Sequence, residues 1–331
     1  MPSRSVPVDR TSVPVFLLNL QKLGMSLRRF RFGVEMMGPF DGMTWSDSVR
    51  YLEDVGFSSM FAPDHFDEGF GPITAMATAA AATTTLKVAT AVFCADFRHP
   101  AVLARELASI DVLSGGRLEV GLGAGYQVND YRGAGIAMDR PGVRVSRLME
   151  YVDVLKGIFK DAPFTYSGDH YSVDRLQSTP RPFTDGGPAI FIAGGGRRML
   201  TFAAAHADII GVNPTLASSL DRNPTEGLPA SIDQKFEWIR GAAGDRLPNI
   251  EFHAWIRHAH VTGAARDEAG DLQSEFGVDG ADVLASPTVL MGTVEEIVDR
   301  LHERRERWGY SYFTIQQPAA REFEAVLAQL A

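Results

Sequence analysis

A chain of 331 residues with 45% hydrophobic and 22% charged side chains has ordinary globular composition, at a length that suits one large barrel or two modest domains. Its formal charge of −9 speaks against nucleic acid or an anionic membrane as a general partner. One cysteine, Cys94, excludes an internal disulfide and points to a reducing cytoplasm.

Residues 1–28 carry no pattern that would bury them in a barrel. The apolar run 13–20 is broken by Pro14 and Asn19, so the segment is expected to form an extension outside the fold, with Met25 a candidate natural start. From Arg29 onward, short apolar runs alternate with amphipathic stretches, the pattern of a parallel sheet. Residues 30–36 read as a first strand. A helix over 44–55 follows, with Thr44 as N-cap, then Val49, Leu52 and Val55 at helical steps, and Gly56 after its end.

Strand two is expected over 58–62 and its helix over 72–83. The uncharged stretch 69–86 is built of Ala and Thr and reads as a closely packed helix, not a membrane span. Strand three covers 86–93, a helix opens at Pro100, strand four covers 118–122, and a long helix runs over 143–159. The segment 164–188, rich in Pro, Gly and aromatic residues, reads as an insertion over the barrel mouth. Strands at 189–193, 208–211, 250–261 and 312–315 complete eight. Helices are expected over 199–207, 231–242 and from Arg321, and one to Trp308 that opens with the capping box Thr293/Glu296. Nothing divides two domains over 29–331; a doubly wound sheet is the alternative, because strand order cannot be read from one dimension.

Several places carry chemistry. Gly121-Leu-Gly-Ala-Gly125 superficially matches a dinucleotide fingerprint, but no helix pattern follows it. Two readings stay open: a bare strand face, including Ala124 and Gly125, against which a flat ring can lie, or tight internal packing. Gly194-Gly-Gly-Arg-Arg198 stands between a strand and a helix, where free N–H groups, the dipole and an Arg make an anion site; the alternative is a plain turn. Asp64-His65 directly follows strand two, where barrel active sites lie, and the imidazole can carry a proton. His258-Ala-His260 shares one strand face, as a metallohydrolase would need, but further ligands are not apparent, and no metal is expected. Cys94 is read as a nucleophile or a small buried side chain, and Glu35 and Glu251 have no evident partner for glycosidase chemistry.

The ordered set resembles the luciferase-like monooxygenase superfamily. The stretches that carry the likeness are Val55-Gly-Phe-Ser-Ser-Met-Phe-Ala-Pro-Asp-His-Phe66, His99-Pro-Ala-Val-Leu-Ala-Arg105, Ile110-Asp-Val-Leu-Ser-Gly-Gly-Arg-Leu-Glu-Val-Gly-Leu-Gly-Ala-Gly-Tyr126, Ile190-Phe-Ile-Ala-Gly-Gly-Gly196 and Gly292-Thr-Val-Glu-Glu296. They cover nearly all of 29–317. The resemblance implies a (β/α)8 barrel with its cofactor at the C-terminal mouth, and is nearer the branch using coenzyme F420, a deazaflavin, than the FMN-using branch.

On that resemblance Asp64 and His65 match the pair beside the deazaflavin ring, with His65 handling the proton and Asp64 setting its orientation. Gly194, Gly195 and Gly196, assisted by Arg197, match the loop that holds the cofactor phosphate. Asn129 matches a cofactor-contacting asparagine, and Ala91-Val92 a bulge that backs the ring, often through a cis peptide. Tyr126 stands where the sugar-phosphate dehydrogenases of the branch have a glutamate acid, so their substrate is not carried over. The implied protein is a cytoplasmic homodimeric oxidoreductase acting on a small organic molecule. The alternatives are an FMNH2-dependent monooxygenase and a non-catalytic flavin-binding homologue.

Overall fold

The computed structural model describes residues 28–160, 162–218 and 221–331. The expected N-terminal extension lies outside the described residues except for Arg28, whose guanidinium donates to the Asn249 carbonyl at 2.9 Å. Eight parallel strands close on themselves in sequence order. They are β1 (Arg31–Glu35), β2 (Ser59–Ala62), β3 (Lys87–Thr90), β4 (Leu118–Gly123), β5 (Ala189–Gly194), β6 (Ile209–Val212), β7 (Glu251–Trp255) and β8 (Tyr310–Gln316). Closure comes from β1 pairing with β8, Arg31 beside Tyr312 and Glu35 beside Gln316, which rules out the open doubly wound sheet. Each strand is followed by a helix: α1 (Trp45–Val55), α2 (Pro72–Ala82), α3 (Pro100–Ser114), α4 (Pro141–Lys160), α5 (Arg197–His206), α6 (Pro229–Ala243), α7 (Val294–Trp308) and α8 (Glu324–Leu330). Among the described residues, no helix is long and apolar enough to cross a membrane.

Local signals set the helix ends. The Thr44 side chain accepts from Asp47 N at the start of α1, and Gly56 leaves it with φ 100°. The capping box at Thr293 and Glu296 is formed in full. One apolar layer lies between sheet and helices, with Val34, Leu52, Leu107 and Leu155 fully buried. A smaller one fills the barrel lumen around Phe61, Ala89, Phe191, Ile209 and Tyr312. The lumen floor is sealed by charge. Arg31 pairs with Glu119 at 2.9 Å and Glu251 at 2.7 Å, and the Tyr312 hydroxyl donates to Glu119 at 2.9 Å. Glu251 therefore has a partner that the sequence reading did not find.

One segment differs from expectation, and a second, the insertion, reaches the barrel mouth with its tip. The stretch 250–261 is not one strand. After Trp255 the chain changes partners: Ile256 N bonds Thr314 O, but Arg257 N bonds Thr288 O. His258–Val261 thus pairs with Val289–Gly292 in a separate two-stranded sheet. The histidines leave the barrel, with His260 against Glu268 (2.6 Å) and His258 against Glu275 (3.3 Å). The segment 164–188 forms an antiparallel pair, Phe164–Ser167 with Ser172–Leu176. It follows a helix and precedes a strand, so it leaves from the lower face and lies along the flank. Glu150 of α4 accepts from the N–H groups of Asp169, His170 and Tyr171, and Tyr171 meets His99 at the rim.

Candidate active site

Asp64 and His65 leave the upper end of β2 but face different partners. Arg98 forks onto both Asp64 oxygens at 2.6 and 2.8 Å, and Cys94 N donates to the same carboxylate at 3.0 Å. Asp64 therefore ties the β2 end to the β3 end, and the expectation that it orients His65 is corrected. That place is taken by Asp130, buried on the short helix Val128–Ala134, whose Oδ2 lies 2.6 Å from His65 Nδ1. Its other oxygen accepts from Phe66 N at 3.2 Å. A carboxylate accepts only, so Nδ1 carries a proton, and in the neutral imidazole Nε2 is the acceptor. The Tyr126 ring stands edge-on to His65 at 5.8 Å. Asn129, the neighbour singled out from sequence, is exposed, and its amide oxygen accepts from Arg132 at 2.8 Å.

The Ala91–Val92 peptide is cis. The glycines of β4 make room for this bulge. A Cβ on Gly121 would stand 1.9 Å from Thr90 O, and one on Gly123 2.6 Å from Val92 Cγ2. At Gly125, with φ 75°, a Cβ would meet the Tyr131 hydroxyl at 2.0 Å and Cys94 Sγ at 2.7 Å. Of the two readings of this run, internal packing describes its missing side chains. The Ala124 and Gly125 carbonyls accept from buried Arg144. Burial pushes the Cys94 thiol up to about 11, which leaves it a buried side chain and not a thiolate nucleophile.

Across the mouth, Gly196 is the N-cap of α5, and no side chain caps that end. Gly194 sits over Met199, and a Cβ on Gly195 would collide with the Asn213 carbonyl and Thr215 N at 2.5 Å. Buried Lys235 pins that loop, donating to Asn213 O at 3.0 Å and pairing with Glu226 at 2.7 Å. At Gly196 the nearest atom to a Cβ is Thr215 Cγ2 at 4.0 Å, so this position is open. Arg197 is exposed beside a groove shared with Gln234, Glu237 and Trp238 of α6. Arg198 is bound to α4 through Gly142 O and Ser146 Oγ, and Arg181 to the Ile158 and Phe159 carbonyls, away from the mouth.

One group in the mouth, Glu35, was weighed in the sequence only for glycosidase chemistry and lacked an evident partner there. Glu35 ends β1 with 5% of its surface exposed, and Trp255 Nε1, at the end of β7, donates to it at 3.0 Å. Burial pushes its carboxyl up to about 7, against the pull of His65 and with a push from Glu68.

The model of the luciferase-like monooxygenase family matches residues 40–222, more than half of the chain. The chain belongs to this family. An FMNH2-dependent dimethylsulfone monooxygenase of Pseudomonas putida is 29% identical over 191 residues, 56% of this chain and 50% of the relative. An F420-dependent glucose-6-phosphate dehydrogenase of Amycolatopsis mediterranei is 27% identical over 187 residues, 54% of this chain and 55% of the relative. The chain thus spans about half the length of the curated relatives it matches. The fold is that of the coenzyme F420-dependent tetrahydromethanopterin reductase of Methanopyrus kandleri, with TM-score 0.72 at 16% identity over 91% of this chain and 98% of that one.

In this luciferase-like barrel, the His65–Asp130 pair, the Ala91–Val92 bulge and Gly194–Gly196 all lie at the upper strand ends, where barrel enzymes carry their chemistry. The glycine loop also yields a clean test. Gly195→Val is expected to disrupt the fold, because the Asn213–Thr215 backbone occupies its space. Gly196→Val is expected to cost at most about 1 kcal/mol of stability, yet to weaken binding of a ribityl-phosphate cofactor roughly tenfold or more. Thermal melts with cofactor titrations check both. An unchanged affinity in Gly196→Val would put the phosphate elsewhere.

Proposed function

We propose that this chain is a coenzyme F420-dependent oxidoreductase that transfers a hydride between the deazaflavin and a small organic substrate. The observation that carries the reading is the His65–Asp130 pair, 2.6 Å apart at the mouth. Hydride transfer between carbons leaves one proton to manage, and an imidazole with a buried carboxylate behind Nδ1 can take it or return it at Nε2. Such a pair, intact at the mouth, speaks against a non-catalytic homologue. The residues fit a flat tricycle bearing a phosphate: an uncapped helix start with an open N-cap at Gly196 on one side, and a bulge fronted by Ala91 on the other.

When bound, the deazaflavin supplies a carbon that gives or takes a hydride and reacts poorly with oxygen. The α5 N-terminus binds its phosphate through backbone N–H groups and the helix dipole. The Asp64–Arg98 fork fixes the loops on which His65 and the bulge stand. His65 Nε2 holds the proton exchanged with the substrate, and Asp130 stabilises the imidazolium that results. The same reading makes the protein a cytoplasmic homodimer, supported by its lone buried thiol and by the family resemblance.

Titration with F420 and FMN, each oxidised and reduced, tests the reading. F420 is expected to bind in the micromolar range or tighter, about −8 kcal/mol, and more tightly than FMN. Raised salt should narrow the difference, since the acidic tail of F420 gains from exposed cations such as Arg197. The dimethylsulfone monooxygenase relative favours the second reading, an FMNH2-dependent monooxygenase. Tighter binding of FMNH2, with oxygen uptake in the presence of substrate, would establish that one instead.

A further inference from the structure

The mouth of the barrel is lopsided. Strand alternation turns Glu35 of β1 and Trp255 of β7 to the lumen side, above Arg31 and Glu251. Across from them, Ala91 just past β3 and Ala193 in β5 pack on the lumen cluster, and β4 ends in Gly123. One half of the mouth therefore offers flat, small surfaces. The other offers an indole and a carboxyl joined by a hydrogen bond.

Glu35 also differs from every other carboxylate drawn into the barrel. Glu119 and Glu251 share Arg31, Asp64 has Arg98, and Asp130 has His65. Among the described residues Glu35 has no ion pair, and its one hydrogen bond comes from the neutral indole of Trp255. A buried carboxylate with a single neutral donor is costly, while the carboxylic acid is not, and the acid has a proton to donate.

We propose that Glu35, held by Trp255, is the substrate-recognising residue of this site, and that its carboxyl hydrogen-bonds the oxygen of an uncharged carbonyl or hydroxyl compound. The proposal rests on the oxidoreductase reading above and adds the substrate class to it. His65 and Glu68 are the titratable groups that act on Glu35, the first pulling its pKa down and the second pushing it up. With Glu68 adding to the negative side, a carboxylate or phosphate ester placed against this wall would meet like charge as soon as Glu35 ionised. A carbonyl oxygen meets a donor whenever Glu35 is protonated and only an acceptor when it is not, whereas a hydroxyl can accept from the acid or donate to the carboxylate.

The test uses wild type, Glu35→Gln and Glu35→Ala, each first titrated with F420 and then, loaded with it, with cyclohexanone and with cyclohexanecarboxylate. Binding is followed by ligand-observed NMR on either side of neutrality. Wild type is expected to bind the ketone below neutrality and to lose roughly tenfold in affinity above it. Glu35→Gln keeps the shape and a permanent donor, so it should hold its affinity at both pH values. Glu35→Ala should lose roughly tenfold below neutrality. Above neutrality the carboxylate should bind wild type at least roughly tenfold more weakly than the ketone, with the gap shrinking in Glu35→Gln. Infrared spectra should show a protonated-carboxyl band near neutral pH that disappears in Glu35→Gln. Equal binding of the two probes above neutrality, no binding of the ketone, a Glu35→Gln variant that keeps the pH dependence, or absence of that band would each overturn the proposal. Failure of all three proteins to bind F420 would instead sink the cofactor reading, and the same titrations on FMN-loaded protein would still decide Glu35.

Discussion

Alanine at position 65 is expected to lower turnover by about 10²–10⁴-fold, the range for removal of a positioned acid–base group. Cofactor affinity should fall much less, because the proposed phosphate site at Gly194–Gly196 follows another strand, β5. The effect of Asp130→Asn follows from the tautomer. An asparagine can present an amide N–H to Nδ1, which moves the imidazole proton to Nε2 and removes the acceptor from the mouth. Turnover in Asp130→Asn should therefore approach that of His65→Ala, and the double variant should be little worse than either, since the two act as one unit. Asp64→Asn is the contrasting variant: it weakens the fork to Arg98 and should lower the melting temperature while leaving the His65 tautomer unchanged. Single-turnover rates separate these cases. Near-normal rates in His65→Ala would move the proton to Tyr126 or to water.

The pair behind that prediction shows where sequence reasoning stops. The elements were legible wherever a local rule sets them, as at Thr44 and Gly56 around α1, or Thr293 and Glu296 at α7. Asp64-His65 and the glycine loop were legible too, because chain neighbours at a strand end must share the mouth. What remained hidden depends on partners far apart in sequence. Asp64 does not orient His65 because Arg98, 34 residues on, takes both its oxygens. Asp130 lies 65 residues from the histidine it holds, and its one local sign was an acidic residue in the first turn of a short helix. Glu35 and Glu251 looked partnerless because Trp255 and Arg31 each lie 220 residues away and meet them only once the barrel closes. The glycines at 121, 123 and 125 were ambiguous for the same reason. Whether they bare a face or fill tightly depends on Val92 and Tyr131, brought in by other elements. The break after Trp255 is a switch of backbone partner inside a stretch where apolar and polar residues keep alternating, and periodicity has no mark for it.

Between about pH 4.5 and 6.5 two lumen groups, Glu35 and His253, are expected to add no net slope to the pH dependence of wild-type stability, because they oppose each other. Glu35 is pushed by burial from 4.5 up to about 7. In that interval the folded state holds a proton that the unfolded state has released, so this group costs stability as pH rises. The cost grows by about 1.4 kcal/mol per unit and totals on the order of 3 kcal/mol above pH 7. His253 has the reverse sign. It is packed against Phe61, Phe191 and Tyr312, with Nε2 on the Thr314 hydroxyl at 2.7 Å and Nδ1 without a partner among the described residues. Burial, with the nearby Arg31 charge, lowers it from 6.5 to about 3. There the unfolded state binds the extra proton, so stability is lost as pH falls from 6.5 towards 3, again by about 1.4 kcal/mol per unit. Where the windows overlap, the slopes cancel. Glu35→Gln removes one of them. The variant should gain stability with rising pH across the overlap and exceed wild type by up to about 3 kcal/mol on the alkaline side, with the two proteins converging below pH 4.5. Chemical denaturation at a series of pH values measures this, and titrating groups not coupled to Glu35, that is, other than His65 and Glu68, drop out of the difference between the two proteins. Superimposable profiles would mean that the Glu35 carboxylate is well solvated in the folded state. A gain at alkaline pH would instead show that the wild-type chain gives up stability to keep an unpaired carboxyl at the mouth, which is the mark of a residue retained for what it binds.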